Sequence, residues 1–229
     1  MERIRANSGW VMVGVSALIM GMGFGTQVSV SVFIQPLGTE FGWARGEISF
    51  AYTLAAFCSG ISGMLMGYLA DRLPTRAIVL YGSIVLGAAY MALSFLTARW
   101  QLYLFYGVLV GGMCQGAFLS PLLTNVGFWF DKNKGLALGL TLAGQSLGAA
   151  LVPLAARMLI TEIGWRSTYT ALGVFAWLLL IPLALLIRQP PALRGGEGAL
   201  PPGTGPGAPQ MSPFTLAAIL CPAIVCCCI

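Results

Sequence analysis

The chain contains no histidine among its 229 residues, and only 8% of those residues are charged. Without histidine, the commonest metal ligand and the usual base of a nucleophilic triad are both missing. The six cysteines do not fill that gap. Cys58 and Cys114 stand inside apolar runs, while Cys221, Cys226, Cys227 and Cys228 crowd the C-terminus, and no C-x-x-C pair occurs. Neither a zinc site nor a disulfide framework is therefore expected. No catalytic residue, cofactor or metal is assigned, because isolated serines and cysteines without a base carry no nucleophilic chemistry. The net charge of +5 comes from few groups, and no basic cluster exceeds two or three residues. Nucleic acid is accordingly not an expected partner.

What the chain has instead is apolar surface. It is 58% hydrophobic, against about 45–50% apolar and 25% charged in soluble domains. A water-soluble core of this size cannot hide so much, so the bilayer is the expected solvent. A spanning helix needs about 20 apolar residues, and six runs qualify: 10–36, 48–70, 77–97, 101–126, 135–160 and 167–187. The first is too long for the apolar region of a cleavable signal. A seventh run, 213–229, gives only about 25 Å of helix, short of the roughly 30 Å hydrocarbon layer.

Between the sixth and seventh runs, 188–212 is rich in proline and glycine and lacks large apolar side chains, which reads as a flexible linker. The expected organisation is an all-α membrane protein with three parts: a six-helix bundle at 1–187, the linker at 188–212 and a truncated seventh helix at 213–229. With the N-terminus inside, the inner segments hold Arg3, Arg5, Arg72, Arg76, Lys132, Lys134, Arg188 and Arg194, against Arg45, Arg99, Arg157 and Arg166 outside. That asymmetry predicts a multi-pass protein of the cell (plasma or inner) membrane with a cytoplasmic N-terminus.

Glycine is abundant, at 30 residues, and within membranes it lets helix backbones approach closely. Gly21, Gly23 and Gly25 thin the first run, and Gly107, Gly111 and Gly112 thin the fourth. In the fifth, Gly139, Gly144 and Gly148 are candidate helix-packing positions.

Two segments carry a family resemblance. Gly67-Tyr68-Leu69-Ala70-Asp71-Arg72-Leu73-Pro74-Thr75-Arg76 concentrates charge between two apolar runs. It resembles the loop between helices 2 and 3 of the major facilitator superfamily of secondary transporters. Pro74 stands where that loop usually has glycine. The segment from Trp129-Phe130-Asp131-Lys132-Asn133-Lys134-Gly135 to Gly144 is similar to the start of helix 5 in the monocarboxylate-transporter branch. Trp129 replaces a tyrosine, Asn133 a basic residue and Thr141 an alanine of that pattern. Weaker echoes are Asn7-Ser8-Gly9-Trp10, the stretch from Gln35 to Arg45, and Gly164-Trp165-Arg166, which look like the bacterial monocarboxylate and oxalate/formate-antiporter branch.

The resemblance implies the N-terminal half of a major facilitator fold, and it implies that Gly67, Asp71, Arg72 and Arg76 form a conformational gate. A carboxylate among arginines at a helix end forms charge-assisted hydrogen bonds that a rocking motion can break and remake. Replacing Asp71 by asparagine in a longer chain is expected to slow transport at equal expression.

Ionisable groups deep in a membrane are costly and mark function, yet the six runs hold no acid, lysine or histidine at mid-depth. The polar residues left for a substrate path are Gln27, Tyr52, Gln115, Asn125 and Gln145, with Arg157 near the outer interface. Each amide serves either as glue between helices or as part of a polar cavity near the midplane. The resulting expectation is secondary transport of a small organic anion, monocarboxylate-like, with H+ or a counter-anion and the lipid bilayer as partners. The chain is expected to need a missing C-terminal half or a homodimer partner. The alternative is a truncated, non-transporting remnant or structural half.

Overall fold

The computed structural model describes residues 2–70, 72–130 and 133–187, with side chains from residue 9 onward. The compact unit is Met1–Pro190. The linker at 188–212 and the seventh run at 213–229 lie outside the described residues.

The described residues are helical almost throughout, in keeping with the apolar runs. In chain order they form α1 (Glu2–Val28), α2 (Val30–Phe41), α3 (Arg45–Ala70), α4 (Thr75–Ser94) and α5 (Arg99–Leu102). A π-helical segment follows at Tyr103–Gln115, then α6 (Gly116–Trp129), α7 (Lys134–Ile163) and α8 (Trp165–Leu186). Six stretches are long and apolar enough to cross a membrane: Gly9–Phe41, Arg45–Ala70, Thr75–Ser94, Arg99–Trp129, Lys134–Ile163 and Trp165–Leu186.

Most of these spans exceed the apolar runs because polar residues continue the helices past the hydrocarbon. The first runs through Pro36 to Phe41, as neighbouring groups in a bundle compensate for proline's missing N–H. It stops where Gly42 turns left-handed, φ 66°, and its N–H reaches the Gly38 carbonyl, a common helix terminus. The fourth starts at Arg99. There the Gln101 carboxamide oxygen accepts from the backbone N–H of Thr97 at 2.9 Å and of Ala98 at 3.1 Å.

Short loops make sequential spans antiparallel. One end of the bundle carries the 42–44, 95–98 and 164 connections, here called the outer end. The opposite, inner end carries the 71–74 and 130–133 connections. The strongest pairings are α1 with α7, α4 with α8, and α3 with the π segment. The first, third and fourth spans are the most buried, whereas the second and fifth bury least. Phe57, Ile61 and Met64 on α3 and Leu147, Leu151 and Met158 on α7 are among the large apolar side chains left exposed. Lipid tails solvate such side chains at no cost, so close packing and hydrogen bonding, not apolar burial, hold the helices together.

The α1–α7 seam is built on small residues. A Cβ on Gly21 would lie 2.7 Å from the Gly144 carbonyl oxygen, and one on Gly144 would lie 2.5 Å from Ala17 Cβ. Gly148 abuts the Gly21 backbone in the same way. Gly139 takes no part, since a Cβ there would meet nothing. Nine residues at 100° each put it half a turn from Gly148, on a face that meets no other helix among the described residues. A groove of about 960 Å³ beside this seam is lined wholly by apolar residues of α1, α7 and α8, among them Leu18, Leu147 and Phe175. Its lining carries no polar side chain.

Candidate functional site

Near the middle of the first span, at Ser29 between α1 and α2, the helix tightens for one residue: the backbone stays right-handed helical, φ −63° and ψ −15°, and the Ser29 N–H reaches the carbonyls of both Gly25 and Thr26. Its backbone is held there by side chains. The Tyr90 hydroxyl donates to the Thr26 carbonyl at 2.6 Å and lies 3.1 Å from Ser29 Oγ. Ser29 Oγ itself donates to the same carbonyl at 2.7 Å. The Tyr106 hydroxyl, from the π segment, donates to the Gln27 carbonyl. Both tyrosines are fully buried. Polar groups at membrane depth find their partners within the protein, and α4 and the π segment each supply one phenol to the carbonyls of this tightened turn.

A third buried tyrosine, Tyr169 of α8, stacks on Phe33 with centroids 3.9 Å apart and meets Tyr90 edge-on at 5.6 Å. Its hydroxyl has no hydrogen-bond partner. Thr26, Ser29, Tyr90, Tyr106 and Tyr169 escaped sequence reasoning. The signal for them was faint: three tyrosines inside apolar runs, where a phenol needs a partner when buried.

The sequence-predicted path residues are dispersed over four spans. Gln27 is buried, with its side-chain Oε1 unpartnered. Asn125 is buried, and its Oδ1 accepts from Trp129 Nε1 at 3.1 Å while Nδ2 stays unpartnered. Gln145 is half-buried with Oε1 unpartnered, and Gln115, at the end of the π segment, is half-buried too. Tyr52 is exposed on α3, and Arg157 is exposed on α7 near its outer end. Among the described residues no hydrogen bond joins any two of these six.

The two ends differ electrostatically. At the inner end, Gly67 has room around it, with Ser120 Oγ 3.5 Å from where a Cβ would stand. Arg72 and Arg76 are both exposed, and the Arg72 guanidinium lies 4.6 Å from the Tyr68 ring centroid. Pro74 sits in extended conformation just before α4, where its fixed φ suits a helix start. Asp71 lies outside the described residues, as do Asp131 and Lys132.

At the outer end two ion pairs tie distant segments. Arg99 meets Glu47 at 2.5 Å, and Arg166 meets Glu40 at 2.9 Å. The Trp165 indole N–H also donates to Glu40, and Arg166 lies over the Trp165 ring, 4.9 Å from its centroid. Every described Asp, Glu, Lys and Arg side chain lies toward one end or the other. Between them the described polar side chains are hydroxyls and carboxamides, and none carries a formal charge. Among the described residues no group of three or more acidic, cysteine or histidine side chains is placed to hold a metal ion.

The family profile described as Major Facilitator Superfamily matches residues 11–228. The chain belongs to that superfamily. Among curated relatives, monocarboxylate transporter 6 of Homo sapiens is 30% identical over 76% of this chain and 34% of its own length. Monocarboxylate transporter 3 of Rattus norvegicus is 29% identical over 85% of the chain and 39% of its own length. Riboflavin transporter RibJ of Trypanosoma brucei brucei is 27% identical over 82% and 35%. The chain thus spans between a third and two-fifths of the length of these three superfamily members. With six apolar helices of spanning length, it is a multi-pass integral membrane protein of this superfamily.

Proposed function

We propose that the chain forms one six-helix body of a secondary transporter, moving a small organic anion of the monocarboxylate class by alternating access. The observation that carries this reading is the unpartnered buried amides, Gln27 and Asn125, with half-buried Gln145, in a superfamily chain whose spans hold no charge at mid-depth. A carboxamide left unpaired in hydrocarbon costs about 1–3 kcal/mol, so a solute or water on the transport path is the natural partner. The lightly buried second and fifth spans support a need for a second body, either another half or a second copy of this chain. The solute's charge is then met by that second body or by a coupled H+ or counter-anion.

The proposed setting is the plasma or inner membrane with the N-terminus cytoplasmic, which puts Gly67, Asp71, Arg72 and Arg76 on the inner face as a gate. Uptake of labelled lactate, pyruvate, formate and oxalate into proteoliposomes tests the reading, with riboflavin as a fifth solute. Saturable uptake of one of the anions by this chain alone, or by this chain with a second half restored, is the expected result. Absence of anion uptake in both preparations would leave a structural or remnant role.

A further inference from the structure

The fourth span packs on the second through glycines whose spacing does not fit an α-helix. Gly107 faces Leu54, Gly111 the backbone of Ala55, Gly112 Cys58, and Gly116 the backbone of Ser62. A Cβ on Gly111 would lie 2.5 Å from Ala55 Cβ, and one on Gly116 would lie 2.8 Å from the Ser62 carbonyl carbon. α-Helical winding at about 100° per residue would carry Gly116 half a turn away from Gly107. The π segment, at roughly 80° per residue, brings the two back to nearly one azimuth after nine steps. The π winding of Tyr103–Gln115 is thus what aligns this seam. π turns ordinarily occur singly inside α-helices, frequently at functional sites, and this segment runs for 13 residues.

The seam is incompletely satisfied as it stands. Ser62 Oγ, directly against Gly116, is buried without a hydrogen-bond partner. Tightening one π turn to α adds roughly 80° over that turn, which is one residue of register. The residue then facing Ser62 is Gln115 in place of Gly116, and its carboxamide can both donate to and accept from the serine hydroxyl.

We propose that the 103–115 segment is a winding switch: loss of one π turn rotates Gln115 between its present half-buried position and a hydrogen bond with Ser62, repacking the fourth span on the second. Its use in a transport cycle rests on the function proposed above. Its geometry does not, and the test reads geometry without any solute.

Two cysteine pairs report the two windings in the full 229-residue chain in proteoliposomes, with copper-phenanthroline as oxidant. In both variants Cys114→Ala and alanine at Cys221, Cys226, Cys227 and Cys228 remove other thiols. Native Cys58 with Gly112→Cys reports the present winding, since a Cβ at 112 lies 3.4 Å from Cys58 Cβ, near disulfide reach. Ser62→Cys with Gln115→Cys, in a Cys58→Ala background, reports the tightened winding. Both links are expected to form. Gly116→Ala, whose Cβ collides with Ser62 only in the present winding, is expected to raise the 62–115 yield roughly twofold or more. Failure of the 58–112 link would overturn the starting geometry. Failure of the 62–115 link in both backgrounds would overturn the switch.

Discussion

Tyr90→Phe and Tyr169→Phe make the same chemical change on two fully buried tyrosines that touch each other, and they are expected to have opposite effects. The Tyr90 hydroxyl ties α4 to the tightened turn at Ser29 by donating to the Thr26 carbonyl at 2.6 Å. Removing it does not orphan that carbonyl, which keeps Ser29 Oγ at 2.7 Å and the Ser29 N–H at 3.2 Å. The loss should therefore be that of one net hydrogen bond, about 0.5–1.5 kcal/mol, and not the larger penalty of a stranded acceptor. The Tyr169 hydroxyl has no partner, so its removal should be neutral or stabilising by up to about 1 kcal/mol. Both phenylalanines keep the ring contacts among Phe33, Tyr90 and Tyr169, which isolates the hydroxyl. Equilibrium unfolding of the purified protein in mixed micelles with rising dodecyl sulfate measures both changes. Exposed Tyr81 on the same helix as Tyr90 supplies a Tyr81→Phe control. A neutral Tyr90→Phe, or equal destabilisation by both buried substitutions, would refute the idea that a phenol helps hold the first span at Ser29.

Gly144→Leu drives a side chain into Ala17 across the α1–α7 seam and should cost about 1–3 kcal/mol, whereas Gly139→Leu, with nothing near its Cβ, should stay within about 0.5 kcal/mol; the same unfolding assay separates them. Arg99→Gln removes the Glu47 pair at an exposed site and should cost less than about 1 kcal/mol. That loss should vanish in 1 M salt, where the screening length falls to about 3 Å, as thermal melts at two salt concentrations would register.

The six spans were legible because hydropathy over about 20 residues is a strong signal. The tightened turn at Ser29 was not. The stretch Gln27-Val28-Ser29-Val30-Ser31 contains neither proline nor glycine, and its carbonyls are met by tyrosines more than 60 residues away in sequence. Pro36 is the obvious breaker in that span, yet it sits inside α2. The glycines of the fourth span could be read as packing positions, but their alignment on one face depends on π winding, which no α-periodic pattern reveals. Arg99 and Arg166 were visible as end charges, and their partners are Glu47 and Glu40. Their pairing across 52 residues in one case is a product of the fold, and it places the described ion pairs at the end opposite the 67–76 turn. For the path residues, depth was readable from position in each run. Which amide lacks a partner was not, because that depends on neighbours from other spans.

The central claim is that this half meets its solute through uncharged polar groups, chief among them the buried Gln27, whose Oε1 has no partner among the described residues. The most direct test is uptake of labelled lactate into proteoliposomes, comparing the parent protein with Gln27→Leu at equal protein and with the second body present. The account predicts saturable uptake by the parent and a clear loss in Gln27→Leu, with stability unchanged or raised. Undiminished uptake by Gln27→Leu would contradict it.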